Sequence, residues 1–363
     1  MAMKIVIFGL TVSSSWGNGH ATLWRGLIRV LHRRGHRVVF FERDVPYYAG
    51  WHRDVHKLPG GDLIFYSRWE DIAGRARDEL AGADVGLVSS YCPDGVAAAD
   101  LVLSSNTGAR VFYDLDTPVT LARIEAGENV AYLPPGGLAG FDLVLSYTGG
   151  RALDALRTRL GARRVLPLYG HVDPDVHKPV APADEYRADL SYLGTFAQDR
   201  QAAVDQLFVE PARRLPGRRF VLGGAQYPHD FPWASNIFFV QHMAPAQHAS
   251  FYCSSRMTLN VTRSAMVDYG YCPSGRLFEA AACGTPILTD AWEGLEAFFD
   301  PGREVLVARG TDDAVNAIGL SDAELQRIGL AARERVLLNH TSERRAGEFE
   351  QALEFGAVTA EES

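Results

Sequence analysis

Short apolar runs alternate along the chain with stretches that place apolar residues every three or four positions. In the first half the runs are KIVIFGL, RVVFFE, DVGLVSS, ARVFYDL, FDLVLSY and RRVLPLY. Branched and aromatic residues in brief continuous runs predict buried strands. The stretch HATLWRGLIRVLHRRG sets Leu23, Leu27, Ile28 and Leu31 on one helical face and stops at Gly35. GGRALDALRTRLG predicts a second helix. Strand-helix alternation of this kind predicts an α/β protein whose parallel sheet is covered on both faces.

The alternation pauses at HVDPDVHKPVAPADE, residues 171–185, where prolines and acids predict a linker. It restarts with DLSYLGT, RFVLGG, NIFFVQ, RMTLNVT, TPILTD and EVLVA. Two doubly wound, Rossmann-like domains are therefore expected, over residues 1–170 and 186–340. Residues 341–363 form a terminal helix and tail that can pack back on either domain, the first included. A ligand is expected at the carboxyl ends of the strands, with the two domains facing across a cleft.

SGRLFEAAACGTPILTD, residues 274–290, reads as helix, tight turn and strand. Ala280 to Cys283 extend the helix, Gly284 stops it and Pro286 cannot continue it. Either the small residues pack the helix on the sheet and leave Glu279 at the surface, or the helix start at Ser274, Gly275 and Arg276 faces an anion.

Bulk properties narrow the classes. At 363 residues the chain has room for about two domains. A formal net charge of −8 argues against a broad nucleic-acid surface but allows a local basic pocket. Cys92, Cys253, Cys272 and Cys283 contain no C-x-x-C pair, so the cysteines suggest neither a zinc site nor a disulfide framework. Reduced thiols point to the cytoplasm. The opening MAMKIVIFGL is too short for a signal peptide, and no run reaches the roughly 18 apolar residues of a membrane span.

Several segments carry candidate chemistry. GLTVSSSWGNGHATLW places Ser15, Gly17, Asn18 and Gly19 in a long polar loop before His20. Its glycines let a ligand approach the backbone. G-N-G-H lacks the third glycine of a dinucleotide fingerprint, and no acid ending the second strand stands out as a ribose ligand, although Glu42 is nearby, so a nicotinamide site is disfavoured. His20 serves either as a base or hydroxyl partner, or as a plain helix-start residue; the length of the loop favours the former. DLSYLGTFAQDRQ offers Gly194, Thr195 and Arg200 to a diphosphate, against the alternative of a solvated arginine. The loop at Gln241, His242 and Met243 borders the same strand ends, where main-chain groups can pair with a base edge. His242 and His248 read more simply as ordinary surface or packing histidines. Asn260 and Arg263 end the next strand. VPYYAGWH, residues 45–52, either stacks on an acceptor ring or packs as a loop, the latter being favoured.

SGRLFEAAACGTPILTDAWEGLEAFFDPGREVLVA, with YCSSRMTLNVTR and DLSYLGTFAQDR before it, resembles the nucleotide-sugar segment of GT-B glycosyltransferases. It is closest to the spore-maturation CgeB-type proteins and similar to glycosyltransferase family 4. The resemblance covers most of residues 186–310; the first half shares only the layout. It implies that Glu279 accepts hydrogen bonds from the donor ribose and that Arg276 and Arg200 contact the diphosphate. Where family 4 usually carries a glutamate seven residues earlier, this chain has Cys272, which leaves donor-sugar recognition and stereochemistry open.

The expected activity is transfer of a sugar from a nucleotide diphosphate sugar to an acceptor of unknown kind, with no cofactor, metal or nucleic-acid partner. A sugar-nucleotide epimerase or hydrolase of the same fold and a non-catalytic sugar-nucleotide-binding protein are the alternatives. Asp114 and Asp116 in VFYDLDTP form a literal D-x-D, the pair that holds a divalent ion in the GT-A fold. The expectation here is that they line the acceptor side, one as a base, or cap the following helix.

Overall fold

The computed structural model describes residues 2–50 and 52–361. Among these residues thirteen strands form two wholly parallel sheets. The first contains β1 (Lys4–Gly9), β2 (Arg37–Arg43), β3 (Gly61–Tyr66), β4 (Val85–Ser89), β5 (Ala109–Asp114), β6 (Leu143–Ser146) and β7 (Val165–Pro167). Their order is β3-β2-β1-β4-β5-β6-β7. The second contains β8 (Leu190–Leu193), β9 (Phe220–Gly224), β10 (Ile237–Gln241), β11 (Thr258–Asn260), β12 (Ile287–Asp290) and β13 (Leu306–Ala308), in the order β10-β9-β8-β11-β12-β13.

Helices cover both faces of each sheet, so central strands are apolar on both sides. In β1, Ile5, Val6 and Phe8 have no exposed surface, and Phe8 stacks on Phe41 of β2 at 4.9 Å. β3 escaped the sequence reading. It lies at the edge of the sheet, its exposure alternates, and it carries Asp62 among its apolar residues.

The chain divides into two compact units. The first comprises residues up to Tyr169 plus the segment from Ser342 on; the second comprises Gly170–Thr341. The helix Ser342–Glu361 belongs to the first unit, where Arg34 pairs with Glu343 and Glu350, and Arg345 Nε donates to the Tyr169 carbonyl at 3.0 Å. Residues 171–185 are not a loose linker. Val172 bridges Thr341, the Ala183 amide donates to Ser254 Oγ at 2.8 Å, and His177 is buried. Prolines mark the crossing between units, but the segment packs on the second one.

In each sheet the winding direction reverses once, between β1 and β4 and between β8 and β11. Loops leaving the carboxyl ends of those strands diverge there, which opens a crevice in each unit.

Candidate functional site

In the first unit the loop after β1 is held by one acid. Glu42 is fully buried in β2 and accepts from Thr11 Oγ1 at 2.7 Å, the Val12 amide at 2.8 Å, and the Ser13 amide and hydroxyl at 3.0 and 2.5 Å. Its carboxylate is committed to shaping this loop, in keeping with the absence of a dinucleotide fingerprint. Asn18 donates to the carbonyls of Thr11 and Ser14 and accepts from the His20 amide at 3.2 Å. Ser15 is bound through its amide and hydroxyl to Asp54, which also pairs with Arg25. Ser15 and Asn18 thus build the loop. Gly17 has φ of +60°, and the space beside Gly19 is open for 4 Å.

His20 opens the helix His20–Arg33, with Gly19 at its N-cap and no side-chain cap. The structure joins two candidates that the sequence kept apart: His20 Nε2 lies 3.9 Å from Asp116 Oδ2. The Tyr91 hydroxyl donates to the same oxygen at 2.9 Å, and the Tyr91 ring stacks on His20 at 5.9 Å. Tyr91 follows β4 with φ of +64°, a conformation costly for an aromatic residue and common at functional sites. Burial lowers the His20 pKa, while the Asp116 charge works the other way.

Asp114 differs from Asp116. It is fully buried at the end of β5, and its Oδ1 accepts from the Asp116 amide at 3.2 Å and Thr120 Oγ1 at 3.1 Å. Its Oδ2 has no hydrogen-bond partner, and burial pushes the carboxyl up to about 6. Asp116 occupies the N-cap of the helix Thr117–Glu125, yet its side chain makes no capping bond. The capping alternative therefore fails for Asp116, whose side chain turns to Tyr91 and His20.

In the second unit the crevice lies between β8 and β11. Ser274 caps the helix Gly275–Ala282, its hydroxyl accepting from the Arg276 amide and from Arg276 Nε at 3.0 Å. The Arg276 guanidinium reaches over β8 to donate to the Leu193 carbonyl at 2.7 Å, and to Val261 at 3.4 Å. A Cβ on Gly194 would lie 2.7 Å from Arg276 Nη1, so a glycine is needed for the guanidinium to pass. Arg200 Nη2 donates to the Thr195 carbonyl. Neither arginine pairs with a carboxylate among the described residues. Burial and the Arg276 charge both weaken Arg200's hold on its proton, as expected for like charges held close. Arg263 Nε donates to Asp199 at 2.8 Å and adds to the positive field at Arg200.

Glu279 is not at the surface. Its side chain is 13% exposed, one turn along the helix from Arg276. Burial alone would push its carboxyl up, but His177, His248 and Arg276 outweigh that and hold it at about 2. The Tyr252 hydroxyl approaches Oε2 at 3.4 Å. His177 was missed, and His248 was read as an ordinary surface or packing histidine. His177 falls in the supposed linker, and no periodicity marks it. His248 shares a helix, Pro245–Cys253, with Tyr252 four residues on, and that i,i+4 spacing was the available signal.

Other candidates are more peripheral. Gln241 ends β10 exposed, while His242 has φ of +52° and donates its amide to the Gly224 carbonyl at 2.7 Å. That amide is unavailable to a base edge. Asn260 is buried, with Nδ2 donating to Thr289 Oγ1 at 3.1 Å and Oδ1 unpartnered. Cys272 is buried. In residues 45–52, Tyr47 is half exposed and meets Tyr48 edge-on at 5.0 Å; Trp51 lies outside the described residues. No helix among the described residues is long and apolar enough to cross a membrane.

Residues 200–351 match the family model described as glycosyl transferase-like. No curated protein matches the sequence. Solved structures of similar fold span essentially the whole chain. A sucrose-phosphate synthase from Thermosynechococcus elongatus is 16% identical, covers 99% of this chain and 100% of its own, and has a TM-score of 0.69. Anabaena HepE in complex with UDP and glucose is 12% identical, with 97% and 99% covered and a TM-score of 0.67. An α-glucosyltransferase in complex with UDP and a 13-mer DNA is 13% identical, with 97% and 100% covered and a TM-score of 0.74. The chain has the GT-B glycosyltransferase fold.

Proposed function

We propose that this protein is a glycosyltransferase that moves a sugar from a nucleotide diphosphate sugar to an acceptor without a metal ion. One observation carries the reading: two half-buried guanidiniums, Arg200 and Arg276, meet at the second unit's switch point with main-chain carbonyls and the Ser274 hydroxyl as partners and no carboxylate among the described residues. A diphosphate supplies the negative charge that this arrangement lacks. Glu279, three residues beyond Arg276 and on the same helical face, then accepts the ribose hydroxyls. The match of residues 200–351 to a glycosyl transferase-like family supports the assignment, as do similar folds that hold UDP and glucose. The resemblance to CgeB-type proteins falls on the same segments.

Catalysis follows from charge. Breaking the sugar–phosphate bond leaves negative charge on the diphosphate, and arginines fixed in advance stabilise it. In the first unit, His20 with Asp116 beside it serves a sugar hydroxyl. The lowered pKa keeps the imidazole neutral near pH 7 and able to take a proton. The DNA of one fold relative is not carried over, because a net charge of −8 disfavours such a partner in the cytoplasm.

Glu279→Ala tests the donor site. It is expected to weaken nucleoside diphosphate binding by about 1.5–3 kcal/mol, measured by isothermal titration with UDP and ADP. Unchanged affinity in a folded variant removes Glu279 from the site.

A further inference from the structure

Three side chains from separate segments converge in the second unit: His177 from the stretch after Gly170, His248 from the helix Pro245–Cys253 and Glu279 from the helix Gly275–Ala282. His177 Nε2 lies 3.9 Å from Glu279 Oε1, and His248 Nδ1 lies 3.5 Å from Oε2. One ligating atom from each of the three falls within 4.8 Å of the others. Both nitrogens are buried without a hydrogen-bond partner.

Those separations exceed the ~2.7–2.9 Å at which charge-assisted hydrogen bonds to a carboxylate close. They approach the ~3.4 Å between two ligands that each bind one tetrahedral ion at ~2.1 Å. The tautomer of His248 sharpens the point. Its Nε2 lies 3.4 Å from the Met243 carbonyl, which can only accept, so Nε2 carries a proton. In a neutral ring Nδ1 then turns a lone pair toward a carboxylate, and a cation between the two removes that repulsion. An N–H bonded to a carbonyl on the far side is also how metal-bound imidazoles are commonly oriented.

We propose that His177, His248 and Glu279 form a site for a divalent first-row transition ion such as zinc. Two imidazole nitrogens and one carboxylate oxygen bind it, and a fourth position stays open. Mixed nitrogen and oxygen ligands suit zinc and its neighbours better than magnesium or calcium. The absence of paired cysteines does not bear on it, since no thiolate takes part. A further consequence rests on the ribose reading given above: an ion held by Glu279 competes with the nucleoside for the same carboxylate.

The test uses the full chain, stripped with a chelator and equilibrated with Zn²⁺, with bound metal counted by elemental analysis. One zinc per chain is expected. His177→Gln and His248→Gln, checked for folding by near-ultraviolet circular dichroism, are expected to bind at least tenfold more weakly. His229→Gln, an exposed site in the same unit, is the control and keeps wild-type uptake. Co²⁺ in place of zinc is expected to give visible absorption that both cluster variants lose. No stoichiometric uptake by the wild type, or equal uptake by folded cluster variants, overturns the site. An imidazolium at His248 without metal gives the first of these results. Uridine and adenosine, which have no phosphate to chelate the ion, then report competition: nucleoside affinity is expected to fall at least tenfold on zinc loading. Zinc uptake with unchanged nucleoside affinity keeps the ion site and overturns the ribose role of Glu279. No zinc uptake, with diphosphate binding lost in Glu279→Ala, overturns the ion site and keeps the donor reading.

Discussion

At the switch point of the first unit a buried carboxylate, Glu42, gathers four hydrogen bonds from the loop it supports. At the switch point of the second, two half-buried guanidiniums rest on main-chain carbonyls and the Ser274 hydroxyl and find no acid among the described residues. The backbone plan is shared, but the charge is used in opposite ways. Glu42 is satisfied within the protein and fixes a loop. Arg200 and Arg276 are held in place while most of their charge stays uncompensated. A half-buried charge left in that state marks a place where a ligand completes the structure.

Removing Glu42 gives the largest expected effect. Glu42→Ala orphans the Val12 and Ser13 amides and two hydroxyls, and is expected to cost about 3–5 kcal/mol in chemical denaturation while leaving nucleotide affinity in the folded fraction intact. A loss below about 1 kcal/mol would mean that the loop is held by other contacts.

Asp114 carries a cost that depends on pH. Its folded pKa of about 6 lies above an unfolded value of about 3.9, so folding favours the protonated form. Its contribution is fully present below about pH 4 and is lost as pH rises through about 6, amounting to about 3 kcal/mol by pH 7. Asp114→Asn is expected to flatten this part of the stability profile. An unchanged slope between pH 4 and 7 assigns the dependence to other groups.

His20 and the arginine pair separate chemistry from binding. His20→Ala is expected to lower kcat about 100-fold, or about 2.7 kcal/mol of barrier, with UDP affinity nearly intact. Wild-type turnover would remove His20 from the site. Arg276→Ala and Arg200→Ala are each expected to weaken UDP binding by about 2 kcal/mol while changing uridine binding far less. Equal weakening of both ligands would make the arginines structural and dissolve the contrast between the two switch points.

Much of this was legible in the sequence because it rests on local pattern. Runs such as KIVIFG and the stop at Gly35 specify elements by themselves, and the segment at Ser274, Gly275 and Arg276 announced a helix start. The turn between Cys283 and Ile287 followed from Gly284 and Pro286. What escaped depends on contacts between distant residues. β3 is a strand because β2 pairs with it, and GDLIFY alone is ambiguous. Glu42 becomes a clamp only when β2 lies beside the loop after β1. His177, in a segment whose prolines read as linker, becomes buried only because that segment packs beside Glu279. Similarly, Asp116 met His20 through the adjacency of β1, β4 and β5, which no single segment encodes.

The return of the helix Ser342–Glu361 to the first unit has a consequence for biosynthesis. Arg34 and His36 emerge early, but their partner Glu350 is translated only after the whole second unit, residues 170–341. At ~5–20 residues per second, that interval lasts roughly 10–35 s on the ribosome. Throughout it, the nascent first unit lacks the helix that covers His20–Arg33, and the apolar surface beneath stays open to chaperones. The second unit, continuous in sequence, can finish folding first although it is made later.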